Sequence, residues 1–121
     1  MKQKIIATIF IVILTMSCKK LYKQPYIHIE PQFAEVHFER PMSRIQLEQL
    51  RNDLAAIQIQ INYTEIKYDG ELLNFLAFTL DYKGQQAEGS THFVHKVRPY
   101  GFIIDDRNNG TLRYVVGELA P

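Results

Sequence analysis

The four histidines, at positions 28, 37, 92 and 95, are the first residues to weigh for chemistry, because imidazoles at the right spacing bind metals or move protons. His92 and His95 are three apart, a chelating spacing on a helix. Their neighbours read as strand, where residues three apart point to opposite faces. His28 and His37 fall in different predicted strands, and nothing in their spacing brings them together. No metal site is therefore expected. The run Asp105-Asp106-Arg107-Asn108-Asn109-Gly110 has the composition of a calcium loop but lacks its alternating acidic ligands and late bidentate Glu, so it reads as a surface turn with solvated carboxylates. His-Glu-x-x-His, Gly-x-Ser-x-Gly and a phosphate-binding glycine loop are all missing. No catalytic residue is named, no cofactor is implied, and the chain is expected not to be an enzyme. Cys18 is the one remaining reactive side chain, and a lone cysteine leaves no intramolecular disulfide to hold the fold.

The surroundings of Cys18 give it a different role. Lys2 and Lys4 form a positive n-region, residues 5–14 are almost wholly apolar, and Thr15, Met16 and Ser17 lead into Cys18. An apolar stretch of about twelve residues is too short for the roughly twenty that a spanning helix needs. Residues 1–20 resemble a bacterial lipoprotein signal peptide with a lipobox, of the form found in Bacteroidota. That resemblance implies cleavage before Cys18 and attachment of diacylglycerol to its thiol. An ordinary secretory signal that leaves a free thiol is the competing reading. In such lipoproteins acidic residues just after the cysteine accompany export to the cell surface. Here Lys19 and Lys20 follow instead, so the resemblance implies an outer-membrane anchor with the domain facing the periplasm.

Residues 1–17 are thus a signal peptide, 18–25 a lipidated tether and 26–121 a single domain. Removing the signal leaves 121 − 17 = 104 residues, enough for one domain, and 12 Lys and Arg against 13 Asp and Glu. Nothing in that balance points to a nucleic-acid partner. Lys19 to Pro25 spans at most about 25 Å. Its lysines read as a solvated linker in preference to a contact with acidic head groups.

Leu47, Leu50, Leu54 and Ile57 recur at helical spacing behind a Ser43 cap and a Gln46 three residues on, with Met42 and Leu47 placed as a hydrophobic staple. Burying that stripe would contribute roughly 6–10 kcal/mol, far beyond what propensity supplies to one short helix, so it needs a sheet beneath it. Ile59, Ile61 and Tyr63 alternate as a strand. The pattern shifts to even numbers at Ile66 and Tyr68, which predicts a bulge near Thr64 and Glu65. Asp69-Gly70 marks a hairpin, and Leu72 to Tyr82 reads as a central strand covered on both faces. Tyr26 to Glu30 and Ala34 to Phe38 read as short strands, Lys83 to Ser90 as a polar turn, and Thr91 to Val97, Phe102 to Ile104 and Thr111 to Val116 as further strands. The fold class is α+β: one main amphipathic helix packed on a mostly antiparallel sheet of five to seven strands.

From Ser43 to about Tyr82, the capped helix with Leu-Glu-Gln-Leu-Arg-Asn-Asp-Leu, then Ile-Gln-Ile-Asn-Tyr, an Asp-Gly turn and an apolar strand resemble the small α+β module appended to some Bacteroidota membrane peptidases of family M56. The zinc motif and membrane spans of those peptidases are missing here, so the resemblance implies an envelope-facing accessory module and no catalysis. The leading expectation is a non-catalytic envelope lipoprotein that binds a partner protein or wall component. A structural or assembly subunit acting through self-association and an unrecognised small hydrolase are the alternatives. One helix cannot cover a whole sheet face, which leaves Leu76, Phe78, Leu80 and Tyr82 as an apolar row of the central strand. Phe78 and Tyr82 are accordingly expected to border a homodimer or partner surface. The first strand or the segment 111–121 folding across to bury them is an equal alternative.

Overall fold

Ser43 starts the helix as its sequence requires. The Ser43 hydroxyl accepts from the Gln46 amide at 3.2 Å, and the Gln46 side-chain carbonyl accepts from the Ser43 amide at 2.8 Å, closing the capping box. Helix α1 (Arg44–Ala55) buries Leu47, Leu50 and Leu54. It ends where Gln58 takes a left-handed φ of 69°, which an α-helix cannot continue through. Ile57 lies in that turn, partly buried against the core. The computed structural model describes residues 22–93, 98–108 and 110–119. Cys18, the signal segment and His95 fall outside them.

Seven strands accompany the helix: β1 (Tyr26–Glu30), β2 (Phe33–Phe38), β3 (Ile59–Asp69), β4 (Leu72–Tyr82), β5 (Gln85–His92), β6 (Tyr100–Asn108) and β7 (Thr111–Glu118). All pairings are antiparallel, so the broad α+β, antiparallel reading holds. The single expected sheet is two sheets, one of four strands in the order β1-β2-β6-β7 and one of three in the order β3-β4-β5. Their apolar faces meet. Phe38 of β2, Phe102 of β6 and Phe78 of β4 form the centre, with Phe78 ring centroids 5.1 Å from Phe38 and 6.2 Å from Phe102. Gly89 of β5 lies where the sheets approach closest, because a Cβ there would come within 2.9 Å of Phe78, Tyr100 and Val116. On the β3 side the helix is the cover, and the Tyr63 and Tyr68 hydroxyls donate to the carbonyls of Leu47 and Met42, each at 2.6 Å.

Four expectations are corrected. Gln85 to His92 is a strand, not a turn. Only Lys83 and Gly84 make the turn, both with positive φ, and β5 shows no hydrophobic pattern because its inward positions are Ala87, Gly89 and Thr91. Leu72 to Tyr82 is not covered on both faces. A register shift pairs Lys67 with Phe75 but Tyr68 with Leu73, so Leu73 turns inward beside Leu76 while Phe75 and Ala77 stay half-exposed on the outer face. Strand β6 was expected over Phe102 to Ile104 with a surface turn from Asp105; it begins at Tyr100 and runs through Asp105 to Asn108, with a register irregularity after Asp105. Finally, Phe78 and Tyr82 are core residues, only 1% and 3% exposed. The four-stranded sheet supplies the cover that a single-sheet picture lacked. The bulge expected near Thr64 is present, between Tyr63 and Glu65.

Both sheets place their ends together. At one end lie Tyr22, where the described chain begins, the β2–α1 connection, the Gly70–Glu71 loop and Pro99. Arg40 stands over the Tyr22 ring at 5.7 Å, its carbonyl accepts from the Leu73 amide at 2.7 Å, and its Nε donates to the Leu73 carbonyl at 3.2 Å. This is the entry end. At the opposite end lie the Pro31-Gln32 turn, the Lys83–Gly84 turn and Asp105 to Arg107, joined by the Asp106 amide donating to the Gln32 carbonyl at 2.8 Å.

Candidate functional site

The opposite end gathers what the chain offers for recognition. Tyr82 closes strand β4 with its ring in the core and its hydroxyl at the rim, donating to Asp106 Oδ2 at 2.8 Å. Lys83 Nζ donates to the same oxygen, also at 2.8 Å. One residue on, Arg107 forks onto both oxygens of Asp105 at 2.9 and 3.0 Å. It also lies 3.7 Å from Glu30 and covers the Phe33 ring at 4.1 Å. Consecutive residues 105, 106 and 107 therefore tie the Pro31–Gln32 and Lys83–Gly84 turns together.

Those turns are conformationally costly. Gln32, Gln58 and Lys83 are the non-glycine residues with positive φ among the described residues, and each belongs to this end. Left-handed backbone at a residue with a Cβ costs of order 1–3 kcal/mol, and it concentrates where binding or catalysis fixes the chain. Gln32 follows Pro31 at the turn position that Gly or Asn usually fills.

Beside this end, the outer face of the three-stranded sheet holds a shallow groove of about 470 Å³ lined by Gln60, Asn62, Thr79, Asp81, Gln86 and Glu88. Leu80 and Ala87 complete the lining, which is predominantly amide, hydroxyl and carboxylate, a surface richer in hydrogen-bonding groups than in apolar area. Asp81 is already engaged by the Gly84 amide at 3.2 Å and the Gln86 side chain at 3.3 Å.

The outer face of the four-stranded sheet carries two histidine–carboxylate pairs. His28 sits 2.5 Å from Glu30 and His37 sits 2.7 Å from Glu35, while the register places His28 directly opposite Glu35. His28 and His37, expected to be apart, therefore share one face of adjacent strands. The readable signal was His28-x-Glu30 and Glu35-x-His37, since residues two apart on a strand point the same way. Among the described residues no group of three or more His, Cys, Asp or Glu is arranged to hold a metal ion. His92 is separate, its ring 4.5 Å from Phe75 on the other sheet.

The electrostatics hold every group that responds in its ordinary charge state. Hydrogen bonds from His28, Arg107 and Lys83 draw the carboxyls of Glu30, Asp105 and Asp106 respectively below their usual values. The bonds to Asp106 and Asp105 raise Lys83 and Arg107. Burial, and then the bond to Asp106, raises the Tyr82 phenol. A general acid or base at neutral pH needs a shift toward 7, and all of these run away from it. The arrangement is suited to presenting fixed charges and hydrogen bonds.

Of the residues singled out in the sequence, Cys18 lies outside the described residues, Phe78 is interior, and Tyr82 reaches the site through its hydroxyl alone. Asp105 and Asp106, read as a solvated turn, are the centre of the network. Comparison with family models, with curated proteins and with solved structures finds no match.

Proposed function

We propose that this chain is a non-catalytic, lipid-anchored binding module of the bacterial cell envelope. In this reading the lipid on Cys18 holds the entry end at the membrane, and the opposite end, with its polar groove, meets a partner protein or wall component. The observation that carries it is the convergence of the three left-handed turns and the Tyr82–Asp106–Lys83 and Arg107–Asp105–Glu30 networks at the end remote from Tyr22. Strain and paired charge there are stabilised by the fold around them and point outward, as binding surfaces on rigid scaffolds do. The electrostatics support the non-catalytic part, since the shifted groups move away from the range in which side chains exchange protons at neutral pH.

A photo-crosslinking side chain placed at Gln85, exposed beside the Lys83–Gly84 turn, tests this in cells. The expected result is a discrete adduct that disappears when Asp106→Ala is added, with none from a probe at Asn52 on the outward face of α1. Digestion of the adduct by a muramidase identifies a wall component, and by a protease a protein. No adduct at Gln85, or the same products from both positions, overturns the reading.

A further inference from the structure

The entry end differs in kind from the end that binds. Tyr22, Tyr26, Ile27 and Ile45 are the exposed large hydrophobic residues among those described, and all four belong to this end. Ile45, 82% exposed, is in the first turn of α1, next to the Arg44 that lines a groove with Tyr22. Tyr26 and Ile27 open β1, four and five residues after Tyr22. Lys23, Arg40 and Arg44 at this end make no ion pair among the described residues, as Arg98 and Arg113 also do not, whereas Arg51, Lys67, Lys83 and Arg107 each have a carboxylate partner. Arg40 and Arg44 instead stand over the rings of Tyr22 and Tyr68, at 5.7 and 5.3 Å. Between them opens a groove of about 720 Å³ bounded by Tyr22, Ser43, Arg44, Tyr68 and Glu71.

We propose that this end is a second membrane contact, in which Tyr22, Tyr26, Ile27 and Ile45 enter the interfacial zone of the bilayer while Lys23, Arg40 and Arg44 meet lipid phosphates. The inference rests on the lipid-anchor reading of Cys18. Tyr22 is four residues past Cys18, a reach of at most about 14 Å even fully extended, so an acylated chain holds this end within the head-group region's neighbourhood. Amphipathic aromatics and exposed isoleucine beside cations are the composition of interfacial surfaces, with each Lys or Arg near an anionic leaflet contributing about 1 kcal/mol. Among the described residues Glu39, Asp69 and Glu71 at this end offset Lys23, Arg40 and Arg44 in formal charge, so the short tether from Cys18 and the exposed apolar side chains are what select a bilayer over a second copy. The docking contact orients the domain with its binding end away from the membrane.

The acylated chain with Ile45→Cys carries one free thiol, since Cys18 is consumed by the lipid. Labelled there with an environment-sensitive fluorophore and reconstituted into vesicles with about a third anionic lipid, it is compared with the same label at Thr111 on the opposite end. Quenching by lipids spin-labelled near the head group is expected to be at least about twofold stronger at 45 than at 111, and to fall to the level of 111 in Arg40→Glu/Arg44→Glu. Equal quenching at both sites, or a shielded label at 45 that lipid quenchers do not reach, overturns the inference in a chain whose mass shows the lipid. A chain without the lipid overturns the anchor reading and this inference with it.

Discussion

Replacing Phe78 separates a core residue from an interface residue. Its ring is 1% exposed and lies between Phe38 and Phe102 at the point where the two sheets meet. Truncating a fully buried Phe to Ala costs about 3–5 kcal/mol, a total that includes about 0.5–1.5 kcal/mol for each of the two ring contacts, at 5.1 and 6.2 Å. A domain of this size has about 5–15 kcal/mol in total, so Phe78→Ala is expected to leave it barely folded. The gentler Phe78→Leu keeps most of the apolar volume and should cost about 1–2 kcal/mol, measured by urea titration of the chain from residue 18 on with Cys18→Ala. Combined with Phe102→Leu, the cycle should yield a coupling of about 0.5–1.5 kcal/mol. Sedimentation of the parent chain should show a monomer. A loss below about 0.5 kcal/mol for Phe78→Leu, together with a parent dimer that the variant dissociates, would refute the interior placement.

Other substitutions probe other joints of the fold. Leu54→Ala empties the centre of the buried helix stripe and should cost about 2–5 kcal/mol in the same titration; under about 1 kcal/mol would mean that the helix does not seal the core. Gly101→Ala would set a Cβ 1.8 Å from the Val36 carbonyl oxygen, which is backbone and cannot swing aside, so thermal denaturation should show a loss of at least about 3 kcal/mol or no folding. An unchanged midpoint would contradict the β2–β6 register. Glu30, Asp105 and Asp106 have folded-state values below their usual ones, so the stability they contribute is present above about pH 4 and is lost as pH falls through those lower values. Asp106→Asn is expected to flatten the acid limb of the stability profile, and an identical limb would show that the Lys83 and Tyr82 bonds carry no linkage.

The parts of the fold legible in the sequence are those written in neighbouring residues. Ser43 with Gln46, the leucine stripe, the parity change at Tyr63–Glu65 and the Asp-Gly loop each need only a few positions to be read, and each is present. In the last of these, Gly70 alone takes positive φ, at 63°, which makes the two-residue loop Gly70–Glu71. Gln85 to His92 was illegible because its inward positions are Ala87, Gly89 and Thr91, too small or polar to stand out from Gln86, Glu88 and Ser90, and its partner, β4, supplies the order. The division into two sheets depends on β6 pairing with β2, some sixty residues earlier, which no local pattern encodes. The same holds for the candidate site. Asp106 meets Tyr82 and Lys83 across more than twenty residues, so a reading confined to the turn could only call it solvated. His28-x-Glu30 and Glu35-x-His37 were the exception, local signals on strands that had been recognised without reading what shared their outer face.

The anchor at Cys18 is the claim on which the orientation of both ends depends. Intact-mass analysis of the protein extracted from cell membranes tests it directly. The expected result is a chain beginning at Cys18, heavier than residues 18–121 by a diacylglycerol group with or without an amide-linked acyl chain, and a Cys18→Ala variant that is not retained by the membrane. A mature chain of unmodified mass released in soluble form, or a Cys18→Ala variant processed and membrane-bound like the parent, would contradict it.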